Sequence, residues 1–270
     1  MSWKPSRFAA LTSSLLLAVG AALFGAGQAA AAARADFGYV ALGDSVLLRP
    51  RRRQLRRRER QLQAHHPRLP GPVGRRPSPQ SFSFTACSGA RTNDVLAGQL
   101  APLNSGTDLV SITIGGNDAG FSDVMTTCVL QSESTCISRV NQAKAYVDST
   151  LPGRLDQVYS AIDSRSPGAH VVVLGYPRFY KLNGTCTTGL TEGERAAINA
   201  AADHLNAAIA KRAADHGFTF ASVAGAFTGH EICSGSAWLH SVNWLNIAES
   251  YHPTAAGQSG GYLPAFTNAA

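Results

Sequence analysis

Residues 39–45 read Tyr-Val-Ala-Leu-Gly-Asp-Ser, an apolar run that ends in a sharp polar turn at Ser45. An unbroken apolar run is typical of a buried strand, and a strand ending in a hydroxyl-bearing turn is a common support for a serine nucleophile. Because a three-residue turn recurs by chance, its interpretation depends on two later segments. These are Thr-Ile-Gly-Gly-Asn-Asp at 113–118 and Tyr-His-Pro at 251–253.

Beyond this run, apolar segments of strand length alternate with segments of helical periodicity. The expected strands are Gly38–Leu42, Phe82–Ala86, Leu109–Ile114, His170–Leu174 and Phe218–Val223. The expected helices are Asn93–Leu100, Ser138–Ser164, Glu192–His216 and Ala255–Leu263. Such alternation is the signature of βαβ units around a parallel sheet. We therefore predict an α/β fold in which residues 34–270 form a single domain.

Several polar turns follow directly after predicted strands. Ser45, the turn at 87–89, Asn117 and Pro177 all have this position. In open α/β sheets, ligands bind in the crevice outside the carboxyl ends of the strands. We therefore expect these turns to meet at one site.

A serine hydroxyl becomes a good nucleophile only when a base takes its proton. We expect His252 to be this base, and Glu249, three residues earlier, to orient the imidazole; a main-chain carbonyl could serve instead. The other histidine candidates are weaker: His204, His216, His230 and His240.

Acyl transfer also needs hydrogen-bond donors aimed at the developing oxyanion. We expect these to be the backbone N–H groups of Ser45 and Gly89 and the side-chain amide of Asn117. Two structural alternatives stay open: Gly89 as a plain turn glycine, and Asn117 or Asp118 as a cap on the next helix. Asp44 is expected to order the turn before Ser45.

Four blocks, in this order, resemble the GDSL or SGNH hydrolases, and specifically the secreted bacterial lipases of that family. They are Gly43-Asp44-Ser45, Gly89, Gly115-Gly116-Asn117-Asp118 and Glu249-x-x-His252-Pro253. The resemblance implies a three-layer flavodoxin-like fold with a central parallel five-stranded sheet, no metal or other cofactor, and hydrolysis through an acyl-serine. It also implies a repertoire of lipase, esterase, phospholipase and acyltransferase activities.

The chain departs from the family pattern at two positions. The family usually continues after the serine with a small, polar, glycine-containing stretch, whereas Val-Leu-Leu-Arg stands at 46–49. The family's last block usually carries Asp at the position of Glu249.

Residues 46–80 contain eleven arginines and one glutamate. The net charge of this segment therefore exceeds the formal net charge of the whole chain, which is +7. The segment has no helical or strand period. It could be a basic arm for nucleic acid or anionic surfaces, or a solvated disordered insert. We favour a reading-frame error in the gene, because a one-base shift can convert Val-Leu-Leu-Arg to Tyr-Ser-Ser-Gly and restores a cysteine further along. We accordingly expect no nucleic-acid partner.

The N-terminal residues resemble a secretory signal. Lys4 and Arg7 precede an apolar stretch from Phe8 to about Gly27 and an alanine-rich run to Ala33. Residues 1–33 are therefore predicted to be a signal peptide, with a transmembrane anchor as the alternative. The mature protein should begin between Ala32 and Asp36 and be an extracellular monomer without stable membrane insertion.

Five cysteines in an exported chain suggest disulfides, and the odd number leaves Cys87 alone. Cys128 and Cys136 are close enough in sequence to close a small loop, and Cys186 with Cys233 is the natural second pair. Sequence cannot fix this connectivity. Zinc is the competing interpretation, but no Cys-x-x-Cys or His-x-x-x-His spacing supports it.

The favoured function is lipase or esterase action on acyl esters. Apolar residues expected near the strand ends could line an acyl groove, although any of them could equally be core: Phe121, Val124, Met125, Leu130, Phe179, Tyr180 and Trp238. An acyltransferase and a carbohydrate esterase on the same scaffold are the alternatives, and a secreted basic binding protein is the rival from another class.

Overall fold

The computed structural model describes residues 37–44, 79, 81–243, 245 and 249–270. Three predictions fall on residues outside these ranges. They concern the signal peptide at 1–33, the nucleophile Ser45 and, except for Pro79, the arginine-rich segment 46–80.

A five-stranded parallel sheet forms the centre of the fold. Its strands are β1 (Gly38–Gly43), β2 (Ser81–Phe84), β3 (Thr107–Thr113), β4 (His170–Leu174) and β5 (Thr219–Ala221). Their order is β2-β1-β3-β4-β5, and each neighbouring pair is parallel. This is the flavodoxin-like order, in which the crevice between β1 and β3 is the switch point where ligands bind. The predicted fold class is confirmed.

Helices connect the strands. They are α1 (Thr92–Asp94, continued by the π-helical Val95–Gln99), α2 (Phe121–Leu130), α3 (Glu133–Ser149), α4 (Leu151–Arg165), α5 (Glu192–Asp215) and α6 (Ala255–Gly257, π-helical Gln258–Tyr262, and Leu263–Ala269). The start of α5 is as predicted: Thr191 Oγ1 accepts a hydrogen bond from Glu194 N, and the Glu194 carboxylate accepts one from Thr191 N.

Two helix predictions need correction. The predicted single helix 138–164 is two helices, which are separated at Thr150. Pro152 lies in the first turn of α4, where its missing N–H costs nothing, whereas inside one long helix it would break a hydrogen bond. The second correction concerns α2, a helix that was not predicted. Its apolar residues were expected only as candidates for an acyl groove.

Helices cover both faces of the sheet. Alternate residues of each strand point to opposite faces and so belong to different buried clusters. Val171 and Val173 of β4 belong to a buried cluster with α1 and α4. Val172 and Leu174 belong to a second cluster with α2, α3 and α6, and α5 contributes to both. This arrangement gives three layers and explains why the strands read as continuous apolar runs.

Two disulfides join the connecting segments, and they are the pairs expected from the sequence. Cys128–Cys136 links the end of α2 to the start of α3, and Cys186–Cys233 links the loops that follow β4 and β5. Cys87 is exposed and has a free thiol.

Candidate active site at the carboxyl ends of the strands

The turn after β1 is fixed by glycine. Gly43 has φ +89°, and a Cβ at this position would collide with the carbonyl oxygen of Thr113. The next amide, Asp44 N, donates to that same oxygen at 2.7 Å. Only glycine therefore lets β1 approach β3 so closely, and Ser45 follows this turn directly in the chain.

The Asp44 carboxylate gathers two of the expected oxyanion donors. Gly89 N donates to Oδ1 at 3.0 Å, and Asn117 Nδ2 donates to Oδ2 at 2.8 Å. Asp44 is only 7% exposed, so these charge-assisted bonds are made away from bulk water. The structure thus aims both donors at one anionic group, at the distances that an oxyanion would require.

Asp118 secures the loop that carries Gly89. Its carboxylate accepts hydrogen bonds from the backbone N of Thr92 at 3.1 Å and from the Thr92 hydroxyl at 2.6 Å. This side chain therefore caps the start of α1 and not the next helix, α2, for which the sequence offered it as an alternative. Gly120 is the N-cap of α2.

His252 lies in the segment before α6, and its ring is held by the main chain. Nδ1 is 3.1 Å from the carbonyl oxygen of Ser250. Because a carbonyl only accepts, the neutral ring carries its proton on Nδ1, and Nε2 has the lone pair that a general base needs.

The His252 ring thus contacts a main-chain carbonyl, which the sequence left open as the alternative to the side chain of Glu249. Its carboxylate lies 3.5 Å from the Asn243 amide, while its main-chain oxygen accepts from His252 N at 3.1 Å. Tyr251 has φ +66°, and this left-handed conformation turns the chain so that the Ser250 carbonyl meets the His252 ring.

A short antiparallel contact supports the His252 segment. His240 N donates to the His252 carbonyl at 2.9 Å, and Tyr251 N donates to the His240 carbonyl at 3.0 Å. The Tyr251 ring packs edge-on against Phe121 of α2, with centroids 5.8 Å apart. The other three histidine candidates are engaged elsewhere: His230 stacks on Trp238, and His204 and His216 face carboxylates of α3 and α4.

One cleft, of about 340 Å³, has Gly89, Asn117 and His252 in its wall, together with Asp44. This volume is within the usual range for small-molecule sites. The rest of the wall is mostly apolar and includes five of the seven groove residues expected from the sequence: Phe121, Val124, Met125, Leu130 and Phe179. Tyr180 and Trp238 are not part of the lining.

Two buried phenols, Tyr176 and Tyr262, complete the wall near Asp44. Tyr176 Oη accepts a hydrogen bond from Gly116 N at 3.1 Å. Burial, reinforced by the negative charge of Asp44, raises the pKa of both tyrosines well above its usual value. Both hydroxyls therefore stay protonated at neutral pH, and that of Tyr262 has no hydrogen-bond partner among the residues that the structure describes.

Side-chain amides that the sequence did not single out clamp the strand ends. The Asn206 amide forms hydrogen bonds with both the main-chain N and O of Tyr176. The Asn199 amide forms hydrogen bonds with the main chain of Phe179 and Tyr180. The Gln99 amide forms hydrogen bonds with both the main-chain N and O of Gly43. One signal was available, because Asn199 and Asn206 are two helical turns apart and so share a face of α5. Gln99 and the Ser250 carbonyl gave no such signal.

Within the described ranges no group of three or more His, Cys, Asp or Glu side chains is placed to hold a metal ion. None of the helices in the same part of the chain is long and apolar enough to cross a membrane.

Comparison with known proteins places this chain in a family. Lipase 1 of Streptomyces coelicolor is 64% identical over 270 residues, covering 98% of both chains. The crystal structure of phospholipase A1 from Streptomyces albidoflavus NA297 has a TM-score of 0.77 and 61% identity, covering 87% of this chain and all of that one. An extracellular lipase from Streptomyces rimosus has a TM-score of 0.76 and 57% identity over the same shares.

The family model described as GDSL-like lipase/acylhydrolase matches residues 41–259, a range that runs from β1 to the start of α6 and contains all four sequence blocks. The chain therefore belongs to the GDSL-like lipase/acylhydrolase family of ester hydrolases.

Proposed function

We propose that this protein hydrolyses long-chain acyl esters of lipids through an acyl-enzyme on Ser45. The observation that carries the proposal is the cleft, whose apolar wall begins beside Gly89, Asn117 and His252. An acyl chain in this wall would place its ester group against the polar end. The names of the relatives, two lipases and a phospholipase A1, agree with a lipid substrate.

In the first half-reaction the Ser45 hydroxyl oxygen attacks the ester carbonyl carbon, and its proton passes to His252 Nε2. The Ser250 carbonyl, bonded to Nδ1, keeps the ring oriented and stabilises the imidazolium that forms. The carbonyl oxygen becomes an oxyanion, which accepts hydrogen bonds from Ser45 N, Gly89 N and Asn117 Nδ2.

These donors are engaged by Asp44 before the reaction. The Asn117 amide has two hydrogens: one can stay on Asp44, while the other, which donates to the Ala90 carbonyl at 3.3 Å, turns to the oxyanion. Gly89 N has one hydrogen, which must be shared with the oxyanion or transferred to it. Collapse of the intermediate then expels the alcohol, which takes the proton from His252. Water repeats the sequence on the acyl-serine and releases the fatty acid.

Chain-length profiles test this proposal. With p-nitrophenyl esters, kcat/KM should rise from acetate to the long-chain esters, and Ser45→Ala and His252→Ala should each lower kcat by about 10³-fold or more. A fluorophosphonate probe should label Ser45 in the wild type only. A preference for acetate, with release of acetyl groups from polysaccharide, would instead support a carbohydrate esterase. Transfer to an added alcohol in preference to water would support an acyltransferase.

A phospholipid substrate is a second candidate, and a specific observation favours it. A smaller pocket of about 120 Å³ shares Gly89, Asn117 and Ser122 with the cleft and also includes Arg91. Arg91 is exposed, so its guanidinium is available to a phosphate beside the scissile ester. A relative that is 61% identical is described as a phospholipase A1.

Replacing Arg91 separates the two substrates. Arg91→Gln should raise KM for phosphatidylcholine and leave KM for a neutral long-chain ester unchanged. Arg154→Gln is the matched control, because Arg154 donates to Asn93 and lines neither pocket. Equal effects of Arg91→Gln on both substrates would refute the phosphate contact.

We also propose that the protein is secreted after removal of residues 1–33 and acts as a monomer. Two disulfides suit an oxidising compartment, and a relative at 57% identity is described as extracellular. Amino-terminal sequencing of protein from the culture medium should begin between Ala32 and Asp36, and light scattering should give the monomer mass. A cell-bound protein with an intact N-terminus would instead indicate an anchor.

A further inference from the structure

Gln99, at the end of α1, makes a paired contact with the last residue of β1. Its Oε1 accepts from Gly43 N at 2.6 Å, and its Nε2 donates to Gly43 O at 3.1 Å. The side chain is 5% exposed, so the primary amide satisfies a buried donor and a buried acceptor together.

The clamped peptide units lead directly into the catalytic turn. Gly43 is the residue whose positive φ permits the contact with β3, and Asp44 and Ser45 follow it. Gly43 O also accepts from Cys87 N at 3.0 Å, which ties the turn to the loop before Gly89. A displacement of Gly43 would therefore move the nucleophile's turn and the loop of an oxyanion donor relative to each other.

Gln99 is itself held from the β2 side. The Thr85 hydroxyl donates to the Gln99 main-chain oxygen at 2.9 Å. The amide thus has a fixed backbone on one side and Gly43 on the other. Gln99 does not line the cleft, so the role inferred for it requires no contact with a bound ester.

We propose that Gln99 is a positioning residue for the hydrolysis: its side-chain amide fixes the peptide units at Gly43 and thereby holds the end of β1, which Ser45 follows in the chain, in register with Gly89 and Asn117. The inference rests on the proposed function, because it assumes that Ser45 is the nucleophile. Reacting groups must be held to within a fraction of an ångström, and an error of about 1 Å can cost about 100-fold in rate.

The test separates positioning from stability. Gln99→Met keeps the length and burial of the side chain but removes both hydrogen bonds. We expect kcat, and the rate of fluorophosphonate labelling at Ser45, to fall about 10- to 100-fold, with KM changed less than about threefold.

Ser166→Ala is the matched control, since it removes a different buried hydrogen bond, from the Ser166 hydroxyl to the Asn104 carbonyl beyond the end of α4. It should lower the melting temperature without lowering kcat. If Gln99→Met also loses only melting temperature, the amide is structural and the inference is wrong.

A milder variant covers the case in which Gln99→Met does not fold. Thr85→Val removes the anchor on the Gln99 backbone and leaves the amide in place, so kcat should fall by a smaller factor with KM again unchanged. Wild-type kcat in a folded Thr85→Val protein would overturn the inference. An inactive, unlabelled wild type would refute the proposed function instead.

Discussion

The Asp44 carboxylate accepts a hydrogen bond from the Asn117 amide at 2.8 Å, which joins the end of β1 to the end of β3. The same carboxylate accepts from Gly89 N at 3.0 Å. Three of the four sequence blocks are therefore connected through one buried anion. We expect this connection to hold the proposed oxyanion donors near the end of β1 before an ester arrives.

Asn117→Ala removes both an oxyanion donor and a partner of Asp44. We expect kcat to fall about 10²- to 10³-fold, with a smaller change in KM, because the lost bond is strongest in the transition state. Stability should fall by about 1–3 kcal/mol, since a buried carboxylate loses a donor. Steady-state kinetics and urea unfolding measure the two effects. Asn104→Ala, which changes an exposed amide that does not line the cleft, should leave kcat unchanged; an active Asn117→Ala enzyme would remove Asn117 from the oxyanion site.

Glu249→Gln tests the positioning of His252 by the main chain. Because the Ser250 carbonyl holds Nδ1, loss of the Glu249 charge should leave kcat within about threefold of the wild type. Steady-state kinetics measure the effect. A fall in kcat of tenfold or more would show that the carboxylate stabilises the imidazolium.

Alkaline pH should destabilise the fold through its buried phenols. Six of the seven tyrosines have a raised pKa, and burial raises that of Tyr39 from 10.0 to about 12. The folded state favours the neutral phenol, so this contribution is complete below pH 10 and is lost as the pH rises toward about 12. During an alkaline titration, the phenolate absorbance of the native protein should therefore rise at a higher pH than that of free tyrosine, and it should rise together with unfolding.

Two controls accompany the titration. In concentrated urea all seven tyrosines should ionise near pH 10. Tyr39→Phe, which also removes a 2.7 Å contact with the Ser111 hydroxyl, should reduce the loss of stability between pH 10 and 12. Reversible ionisation of most tyrosines near pH 10 in the native protein would contradict their burial.

The two disulfides should differ in their contribution to stability. They close loops with sequence separations of 8 and 47 residues. The chain-entropy relation gives about 2.5 kcal/mol for Cys128–Cys136 and about 4 kcal/mol for Cys186–Cys233. Urea unfolding of Cys128→Ser/Cys136→Ser and Cys186→Ser/Cys233→Ser compares them. A larger loss for the shorter loop would show that contacts between α2 and α3, not loop closure, dominate.

We propose that the arginine-rich segment 46–80 reflects a reading-frame error in the gene. Gene sequencing, together with the intact mass of the mature protein, should return a frame that has a glycine-containing stretch after Ser45 and an additional cysteine. The frame-restored protein should melt at a higher temperature and be more active than the chain as written. Equal melting temperatures and activities, or an unambiguous arginine-rich frame in a native genome, would refute the proposal.

The strands and the polar blocks that follow them could be predicted, because each is defined by a pattern of residues that are close together in the sequence. The strand His170–Leu174 is an unbroken apolar run, and the start of α5 follows from Thr191 and Glu194, three residues apart. The break between α3 and α4 was missed, because the apolar period continues through Thr150 while Pro152 is tolerated in a first turn.

The sequence by itself therefore determined the α/β class, the family blocks and the identity of the polar side chains at the strand ends. Only the tertiary structure decided how they are held. Nδ1 of His252 contacts a main-chain carbonyl, which every residue has and no sequence pattern marks. The hydrogen bonds between Gln99 and Gly43 and between Asn117 and Asp44 join residues that are 56 and 73 positions apart in the chain. Such pairs come into contact only when the strands have assembled into the sheet.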